Sequence, residues 1–461
     1  MDFPDTIFAL ASGAPPAGIA VIRISGSQGG QVLMRLSGKP LPVPRMATRT
    51  RFMRPDAGDK DIVLDDGIAI WFPGPQSFTG EDVVELHIHG GRASIEAVAS
   101  ALSGFEGVRM AEPGEFTRRA FENGKLDLTR AEALADLVSA ETEAQRHQAQ
   151  RQFSGALADR YDGWRQDLVA MLAHVETVVD FADEEIPKDL LEGLDNKILR
   201  LKDQITQHID DNRQGERLRD GFEIAIIGAP NVGKSSLLNA LARRDVAIVS
   251  ETAGTTRDVV ELHLNLGGLP VTLADTAGIR DSLDKVEEEG IRRALVRAEG
   301  ADLRLAVFDA ATWPDLNPAT VALMMGETIA VFNKGDLADG NLTANAKRSD
   351  IKGPLGPVPA FVVSALTGNG FDALLDAIKS AASKGIDVSP GSAPLTRMRH
   401  RTALVEALEA LDRIETPMRA DSPELLAEDL RLAARAVGRI TGTVDVEDVL
   451  DLIFSEFCIG K

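Results

Sequence analysis

The chain has 461 residues, of which 50 are basic and 71 acidic, and its net charge is −21. This length predicts two to four compact units, and the acidic balance excludes a surface that is basic throughout, so contact with nucleic acid requires a local basic patch or a partner. A single cysteine, Cys458, excludes a disulfide framework and a multi-cysteine zinc site. The acidic start and the absence of a long apolar run predict a cytoplasmic protein with no membrane partner.

The first part of the chain, up to about Glu115, contains strand-like runs separated by Gly and Pro turns. Two of these runs are Gly18–Ile24 and Asp82–His89. In the second run, Val84 and every second residue after it are apolar while the residues between are polar, which is the period of a half-buried strand. We therefore expect a compact α+β unit here.

A helical region follows. Residues 125–154 contain neither Gly nor Pro, and Thr129 with Glu132 has the spacing of a capping box, so one long helix is predicted to start there. The helical pattern continues to Val179 and resumes over residues 190–211.

A phosphate-binding loop then appears after a predicted buried strand. The strand is Phe222–Ile227, and the loop is Gly228-Ala-Pro-Asn-Val-Gly233-Lys234-Ser235. Its glycines allow backbone N–H groups to approach phosphates, Lys234 can reach the terminal phosphates, and the Ser235 hydroxyl can bind magnesium. Alone, the loop is typical of any nucleotide-hydrolysing enzyme.

Three later motifs narrow the nucleotide to a guanine nucleotide. They are Asp275-Thr-Ala-Gly278, Asn333-Lys-Gly-Asp336 and Ser364-Ala365. A carboxylate at Asp336 can accept hydrogen bonds from a ring N–H and an exocyclic amine, a pair that adenine lacks. Asp275 is predicted to end a strand and to hold magnesium through water. The ordered set predicts a guanine-nucleotide switch domain.

The switch segments raise two questions about hydrolysis. For magnesium, the segment 250–258 offers Thr256, with Thr255 as the alternative. Ile279 stands where Ras-like switches carry a water-orienting Gln, so the acidic cluster 287–289 is a candidate source of that function, the alternative being a solvated helix face. Asn231 in the phosphate loop has a side-chain oxygen that can help to bind a monovalent cation.

Helical pattern returns after a turn-rich linker, residues 383–394. Ser422-Pro423 is predicted to cap and open one helix, and residues 446–457 carry apolar side chains at helical spacing. Helices therefore flank the nucleotide domain on both sides, which favours its being an insertion into a helical domain.

Over its whole length the sequence resembles the MnmE (TrmE) family of tRNA-modification GTPases. The resemblance rests on these segments: Asp5-Thr-Ile, Ser77-Phe-Thr-Gly-Glu-Asp82, Pro113-Gly-Glu-Phe116, Lys125-Leu-Asp-Leu128, Asp183-Glu-Glu-Ile186, Gly254-Thr-Thr-Arg-Asp258 and Phe457-Cys-Ile-Gly-Lys461. It implies a multidomain fold with an N-terminal α+β folate-binding-like domain, a discontinuous helical domain and an inserted α/β P-loop GTPase (Ras-like) domain. The expected boundaries are 1–118 for the N-terminal domain, 119–218 and 383–461 for the helical halves, and 219–382 for the GTPase domain.

The resemblance also implies an activity and partners. The expected protein is a homodimeric GTPase that depends on potassium and is activated by dimerisation. With a flavin-dependent partner of the MnmG (GidA) type, which carries FAD, it would form a heterotetramer or larger complex that acts on tRNA. That complex would add a carboxymethylaminomethyl or aminomethyl group to carbon five of the wobble uridine. The carbon would come from a tetrahydrofolate derivative in the 5-formyl or 5,10-methylene form.

The implied site residues follow by position. Glu287 would orient the attacking water. Magnesium would be bound by Ser235 and Thr256, and potassium by Asn231, Ser250, Thr252 and Thr255. Folate would be bound by Arg23, Glu85, Lys125 and Lys461. The GTP-binding residues would be Asn231, Val232, Gly233, Lys234, Ser235, Ser236, Ser250, Glu251, Thr252, Ala253, Gly254, Thr255, Thr256, Asp275, Thr276, Ala277, Gly278, Asn333, Lys334, Asp336, Ser364 and Ala365.

Some alternatives stay open at this point. Cys458 is either a small buried apolar residue or a reactive thiol near the folate site. The arginines of 397–401 and those at 431, 435 and 439 are candidate tRNA contacts or members of ion pairs. An assembly switch of the kind that acts on ribosomes, or a folate enzyme with a regulatory nucleotide domain, are the competing functions.

Overall fold

The structure is a computed structural model. It describes residues 3, 5–55, 62–180, 193–211, 213–248, 261–275, 300–338, 351–386, 394–414, 422–444, 447–455, 457 and 460. The chain divides into two compact units. The first unit is Met1–Ala135, Gln152–Ile186 and Arg413–Lys461, and the second is Asp136–Arg151 and Pro187–Asp412.

Strands and helices are numbered in chain order. The strands are β1 Thr6–Leu10, β2 Ala17–Ser25, β3 Thr48–Met53, β4 Val63–Phe72, β5 Val83–Gly90, β6 Val108–Met110, β7 Phe222–Ile227, β8 Ala247–Ile248, β9 Glu261–Leu266, β10 Leu269–Asp275, β11 Leu303–Asp309, β12 Thr328–Asn333, β13 Ile351–Gly353, β14 Gly356–Val358 and β15 Ala360–Val362. The helices are α1 Gly29–Ser37, α2 Arg92–Ser103, α3 Glu115–Glu122, α4 Leu128–Ser139, α5 Glu143–Phe153, α6 Ala156–Asp180, α7 Leu194–Ile209, α8 Gln214–Asp220, α9 Lys234–Ala242, α10 Pro318–Ala322, α11 Phe371–Gly385, α12 Met398–Ile414, α13 Pro423–Thr441 and α14 Glu447–Ser455. Among the helices of these ranges, none is both long and apolar enough to cross a membrane.

The first unit contains a six-stranded sheet in the order β3-β4-β5-β2-β1-β6. Its pairs are antiparallel except for β1 and β6, which run parallel. The alternation predicted for β5 is confirmed, since Val84, Leu86 and Ile88 are all at most 2% exposed. They share a core with side chains of α1 and α2, such as Leu33 and Leu102, so the polar residues of β5 lie on the opposite face.

The helix prediction over residues 125–154 was wrong in two respects. The side chain of Asp127, rather than that of Thr129, receives the hydrogen bonds at the start of α4: its Oδ1 accepts from the Thr129 hydroxyl at 2.6 Å and from the Arg130 N–H at 3.0 Å. The region also forms two helices rather than one. Thr142 and Gln145 make a reciprocal capping box at the second helix, because Gln145 Oε1 accepts from the Thr142 N–H at 3.0 Å and Thr142 Oγ1 accepts from the Gln145 N–H at 3.3 Å.

Helices α6 and α13 pack against each other in the first unit. In α6, Leu157, Tyr161, Leu168 and Val175 are buried at three-and-four spacing or its multiples. The prediction that Pro423 opens α13 is confirmed, but the Ser422 side chain makes no capping hydrogen bond.

The second unit is built on a seven-stranded sheet in the order β15-β12-β11-β7-β10-β9-β8. Strand β7 begins and ends at the predicted residues, and β7, β10, β11, β12 and β15 run parallel, whereas β9 is antiparallel to both of its neighbours. Strands β7 and β12 are almost wholly buried, as central strands of a parallel sheet must be. The parallel arrangement brings the carboxyl ends of β7, β10, β11 and β12 to one edge, where ligands bind in open α/β sheets.

The chain enters and leaves this nucleotide domain at adjacent places in the second unit. A Cβ atom on Gly215 in α8 would lie 2.0 Å from the Leu395 carbonyl oxygen. Asp136 Oδ1 accepts from Arg219 Nε at 3.0 Å and from Arg397 Nη2 at 2.8 Å, so one carboxylate joins the two crossings. We call these two contacts the neck of the nucleotide domain.

Candidate nucleotide and folate sites

The predicted phosphate loop lies between the end of β7 and the start of α9, the position from which backbone N–H groups can point at an anion. Asn231 and Gly233 have φ angles of 61° and 95°. Lys234 Nζ donates to the carbonyl oxygens of Gly228 at 2.9 Å and Ala229 at 3.0 Å. The loop therefore encircles the lysine ammonium, the group that is expected to meet the terminal phosphates.

Gly233 is the point where the phosphate loop meets the predicted guanine-binding motif Asn333-Lys-Gly-Asp336, which we call the base-recognition motif. Asn333 Nδ2 donates to the Gly233 carbonyl oxygen at 3.2 Å, and a Cβ atom on Gly233 would lie 2.3 Å from that same nitrogen. The positive φ and the missing room both require glycine here. The two motifs, about 100 residues apart in sequence, are thus in direct contact.

The base-recognition residues hold one another in place. Asn333 Oδ1 accepts from the Lys334 N–H at 2.8 Å and from the Ala365 N–H at 3.2 Å, while the Ser364 hydroxyl donates to Asp336 Oδ1 at 2.5 Å. Asn333 is buried and Asp336 is exposed. The buried amide therefore organises the loops, and the exposed carboxylate remains accessible to a guanine base.

Sequence reasoning missed one residue at this edge, Asp309. It ends β11 and pairs in parallel register with Asn333 at the end of β12. Its Oδ2 accepts from Lys334 Nζ at 2.7 Å. The signal was present, because a carboxylate directly after the buried run Leu303–Phe308 has the same placement as Asp275 after its strand.

The metal predictions fall only in part on described residues and stay predictions. Ser235 lies in the first turn of α9, and β10 ends at Asp275 as predicted, in register with Ile226 beside the phosphate loop. Oxygen atoms at these positions suit magnesium. Asn231 is exposed, as a cation ligand beside the phosphates would need to be. The predicted residues outside the described part of the chain are Ser250, Glu251, Thr252, Ala253, Gly254, Thr255, Thr256, Thr276, Ala277, Gly278, Glu287, Cys458 and Lys461.

Two of the predicted folate residues form an ion pair on the first unit's sheet. Arg23 on β2 and Glu85 on β5 stand opposite each other, and Arg23 Nη2 lies 2.9 Å from Glu85 Oε1. The Arg23 guanidinium is 5.4 Å from the centre of the Phe78 ring and 5.9 Å from that of Phe116. Both side chains of the pair are about one fifth exposed, at 22% and 19%, so a ligand can still reach them.

The third predicted folate residue, Lys125, contacts the loop between β4 and β5, residues 73–82. Lys125 Nζ donates to the Pro75 carbonyl oxygen at 2.8 Å, and its stem lies within 3.5 Å of the Cβ position of Gly80. Phe78, which contacts Arg23, belongs to the same loop. The loop between β4 and β5 therefore borders all three described folate candidates.

The end of the chain also reaches this sheet. A Cβ atom on Gly460 would lie 2.1 Å from the Leu10 carbonyl oxygen. Leu10 is next to Ala9, which is paired with Arg23. The backbone at Gly460 therefore lies within about two residues of the Arg23–Glu85 pair along the neighbouring strand.

Comparisons with known proteins address identity directly. The protein-family model for the MnmE helical domain matches residues 128–458. The family model for the GTP-binding protein TrmE N-terminus matches residues 6–125. The chain is 55% identical over 458 residues to the tRNA modification GTPase MnmE of Paramagnetospirillum magneticum, covering 99% of this chain and 100% of the relative. The chain belongs to the MnmE family. It is accordingly a GTP-hydrolysing enzyme of tRNA modification.

The tRNA modification GTPase MnmE of Parvibaculum lavamentivorans is 51% identical over 458 residues, with 99% of this chain and 100% of the relative covered. Among solved structures, a variant of Aquifex aeolicus Era bound to GDP and aluminium fluoride is 26% identical. The match covers 41% of this chain and 66% of the Era chain, and its TM-score is 0.27. No conclusion is drawn from a TM-score this low.

In this MnmE-family chain, three of the motifs that carry the resemblance meet at a buried arginine. Arg119 is fully buried, and its guanidinium donates to Asp5 Oδ1 at 2.8 Å, Glu81 Oε1 at 3.1 Å and Glu115 Oε1 at 2.9 Å. Arg109 also bonds Asp5 and Glu115. We call these five residues the Arg119 cluster. These ion pairs lie inside the first unit, which indicates a structural role for the cluster.

Three of the arginines considered as tRNA contacts are members of ion pairs. Arg397 bonds Asp136, and Arg401 bonds Asp211 and Glu216 with N–O distances of 3.0 Å each. Arg431 pairs with Glu176 at 2.8 Å and with Glu428. For these three arginines the ion-pair interpretation is confirmed, and a contact with tRNA stays a prediction.

Proposed function

We propose that this protein is a potassium-dependent GTPase, activated by dimerisation. It acts with a flavin-dependent partner of the MnmG type to add a carboxymethylaminomethyl or aminomethyl group to carbon five of the tRNA wobble uridine. The added carbon comes from a tetrahydrofolate derivative. Membership of the MnmE family shows a GTPase of tRNA modification. The contacts of the Arg23–Glu85 pair, Lys125 and Asn231 support the further chemistry.

The observation that carries the folate proposal is the grouping around the Arg23–Glu85 pair. The charges of the pair lie on the sheet face opposite to α1 and α2. Lys125, which follows α3, bonds the loop between β4 and β5, and Gly460 lies beside the neighbouring strand. Lys461 follows Gly460 directly in the sequence. Residues that are dispersed through the chain are thus concentrated at one end of one sheet.

The chemistry of this group suits a reduced folate. Glu85 offers carboxylate oxygens that can accept from pterin N–H groups, as a carboxylate does in guanine recognition. Arg23 holds that carboxylate, and Lys125 and Lys461 supply positive charge for the folate glutamate tail. When bound, the folate would supply a one-carbon unit, and the protein's part is to orient it.

The nucleotide site supports the proposal through Asn231. Its left-handed backbone is held because Lys334 Nζ donates to its carbonyl oxygen at 3.0 Å, while the side chain is exposed. The Asn231 side chain takes no part in this hydrogen bond and suits potassium. The charge of potassium would offset the negative charge that develops on the phosphates. Glu287 is proposed to orient the attacking water, since Ile279 cannot.

The decisive experiment measures wobble-uridine modification by mass spectrometry of tRNA from cells that lack the protein. We expect loss of the modification, its recovery with the wild-type gene, and no recovery with Glu85→Gln. Asp66→Asn is the matched control, because it also breaks an arginine–carboxylate pair on the same sheet, at 3.1 Å from Arg51. Normal tRNA in the deletion strain would refute the proposed reaction.

The cation and water proposals are tested by GTP turnover in purified protein. We expect faster turnover in potassium than in sodium at equal ionic strength, and Asn231→Ala is expected to remove the difference. Glu287→Ala is expected to abolish most hydrolysis while nucleotide binding persists. Equal rates in the two salts would refute the cation proposal, and retained turnover in Glu287→Ala would refute the role of that carboxylate.

A further inference from the structure

Asp309 is held in one orientation by its own backbone turn. Its Oδ1 accepts from the Ala311 N–H at 3.0 Å, which caps the short 3-10 turn Ala310–Thr312 after β11. This bond directs the second carboxylate oxygen, Oδ2, to Lys334 Nζ at 2.7 Å. Both oxygens are therefore engaged, and the carboxylate is fixed before any ligand binds.

Lys334 joins this carboxylate to the phosphate loop. Its Nζ donates at the same time to the Asn231 carbonyl oxygen at 3.0 Å. Lys334 and Asn231 both have left-handed backbones, with φ angles of 62° and 61°. Neither is glycine, so each conformation needs support from its surroundings. The ammonium bridging Asp309 and Asn231 supplies such support to both.

The charge of Asp309 is favoured where it lies. Burial opposes ionisation, but the hydrogen bonds from Lys334 and from the Ala311 backbone outweigh it and lower the pKa of the Asp309 carboxyl. The side chains of Asp309 and Lys334 are 21% and 35% exposed. The Asp309 carboxylate is thus ionised at neutral pH and only partly screened by water.

We propose that Asp309 is a positioning residue for nucleotide retention. It acts through Lys334, holding the ammonium on the Asn231 carbonyl so that the base-recognition motif and the phosphate loop stay in register. Loss of this anchor frees the lysine and loosens both loops, and bound nucleotide leaves faster. This role concerns the binding of GTP and GDP and does not depend on folate or on the flavin-dependent partner.

The test is the rate of release of a fluorescent GDP analogue from the full-length protein, measured by stopped flow. Asp309→Ala and Asp309→Asn are each expected to accelerate release about tenfold, the scale of one lost charge-assisted hydrogen bond. Asp309→Asn keeps an oxygen for the Ala311 N–H, so it preserves the turn if the alanine variant folds poorly. Asp315→Asn is the matched control, an exposed carboxylate in the same connection, and should leave release unchanged.

A double-mutant cycle separates positioning from general destabilisation. In a Lys334→Met background, the change Asp309→Asn should have no further effect on release, because its partner is gone. Release within twofold of the wild type in the Asp309→Asn single variant would overturn the proposal. So would an equal acceleration by Asp309→Asn in the presence and absence of Lys334.

Discussion

The nucleotide site and the Arg119 cluster are both networks of polar side chains that join segments about 100 positions apart, but they differ in exposure. At the nucleotide site, the outer members such as Asp336 are exposed, and most bonds lie within short motifs or between them. In the cluster, Arg119 has no exposed surface, and it bonds Asp5, 114 positions earlier in the chain.

This difference indicates which polar groups are available to a ligand. Exposed groups in the nucleotide site can exchange a protein partner for a ligand without leaving a charge buried. The carboxylates of the Arg119 cluster have no such freedom, since an exchange of partners would leave the fully buried charge of Arg119 unpaired, which is costly. Mutation should therefore have different effects on the two networks. It should lower ligand affinity at the nucleotide site and lower stability in the Arg119 cluster.

The largest expected effect is that of Arg119→Met. Removing the guanidinium takes away the ion-pair partner of Glu81 and leaves Asp5 and Glu115 with Arg109, so we expect a loss of about 3–5 kcal/mol in the free energy of unfolding of the first unit. Urea unfolding and hydrogen exchange of the β1 and α3 amides measure this loss.

The neighbouring arginine provides the control for that change. Arg118 is 39% exposed and pairs with Glu122 and Asp451, so Arg118→Met should cost less than about 1 kcal/mol. Similar losses for the two variants would mean that burial does not distinguish the cluster from a surface ion pair. GTP binding should be unaffected in both.

A second prediction concerns binding. Gly233→Ala places a Cβ atom 2.3 Å from Asn333 Nδ2 at a φ of 95°, and so separates the phosphate loop from the base-recognition motif. We expect nucleotide affinity to fall by about 100-fold, equivalent to about 2.7 kcal/mol, with a smaller change in stability. Titration calorimetry with GDP measures the affinity. An unchanged dissociation constant would contradict the contact between the motifs.

The smallest expected effect is the response of the cluster to acid. Burial opposes ionisation of Asp5 and Glu115, but hydrogen bonds from Arg109 and Arg119 outweigh it and lower the pKa of each carboxyl. Their contribution to stability is therefore complete above the unfolded-state pKa, about 4 to 4.5, and is lost as the pH falls through the folded values. Protection of the β1 amides should decline on acidification below about pH 4.5, and less steeply in Arg119→Met.

Features that repeat within a few residues were predictable from the sequence. The alternation of β5, the strand before the phosphate loop and the contiguous guanine motifs each express a local rule. Local rules also compete, however. Thr129 was chosen as a cap although Asp127 lies two residues earlier with a carboxylate of suitable length, and the second capping pair, Thr142 and Gln145, was overlooked inside a run without Gly or Pro.

Long-range partners were not predictable in this way. Nothing near Arg119 indicates that Asp5 will reach it, because β1 must first pair with β2 and β6 to bring the start of the chain there. Asp309 was missed for a related reason. Its place directly after a buried run is visible in the sequence, but its partner Lys334 is not, because the parallel register must first set Asp309 beside Asn333.

The neck of the nucleotide domain has a consequence for protein engineering. Because Gly215 and Leu395 are in contact, the segment between them begins and ends at one place, as inserted domains that tolerate exchange commonly do. A GTPase domain of another origin, or a short linker, can be spliced between these two residues without altering the distance that the flanking chain must bridge. Such a splice removes Arg219 and keeps Arg397, so Asp136 would retain one of its two arginine partners.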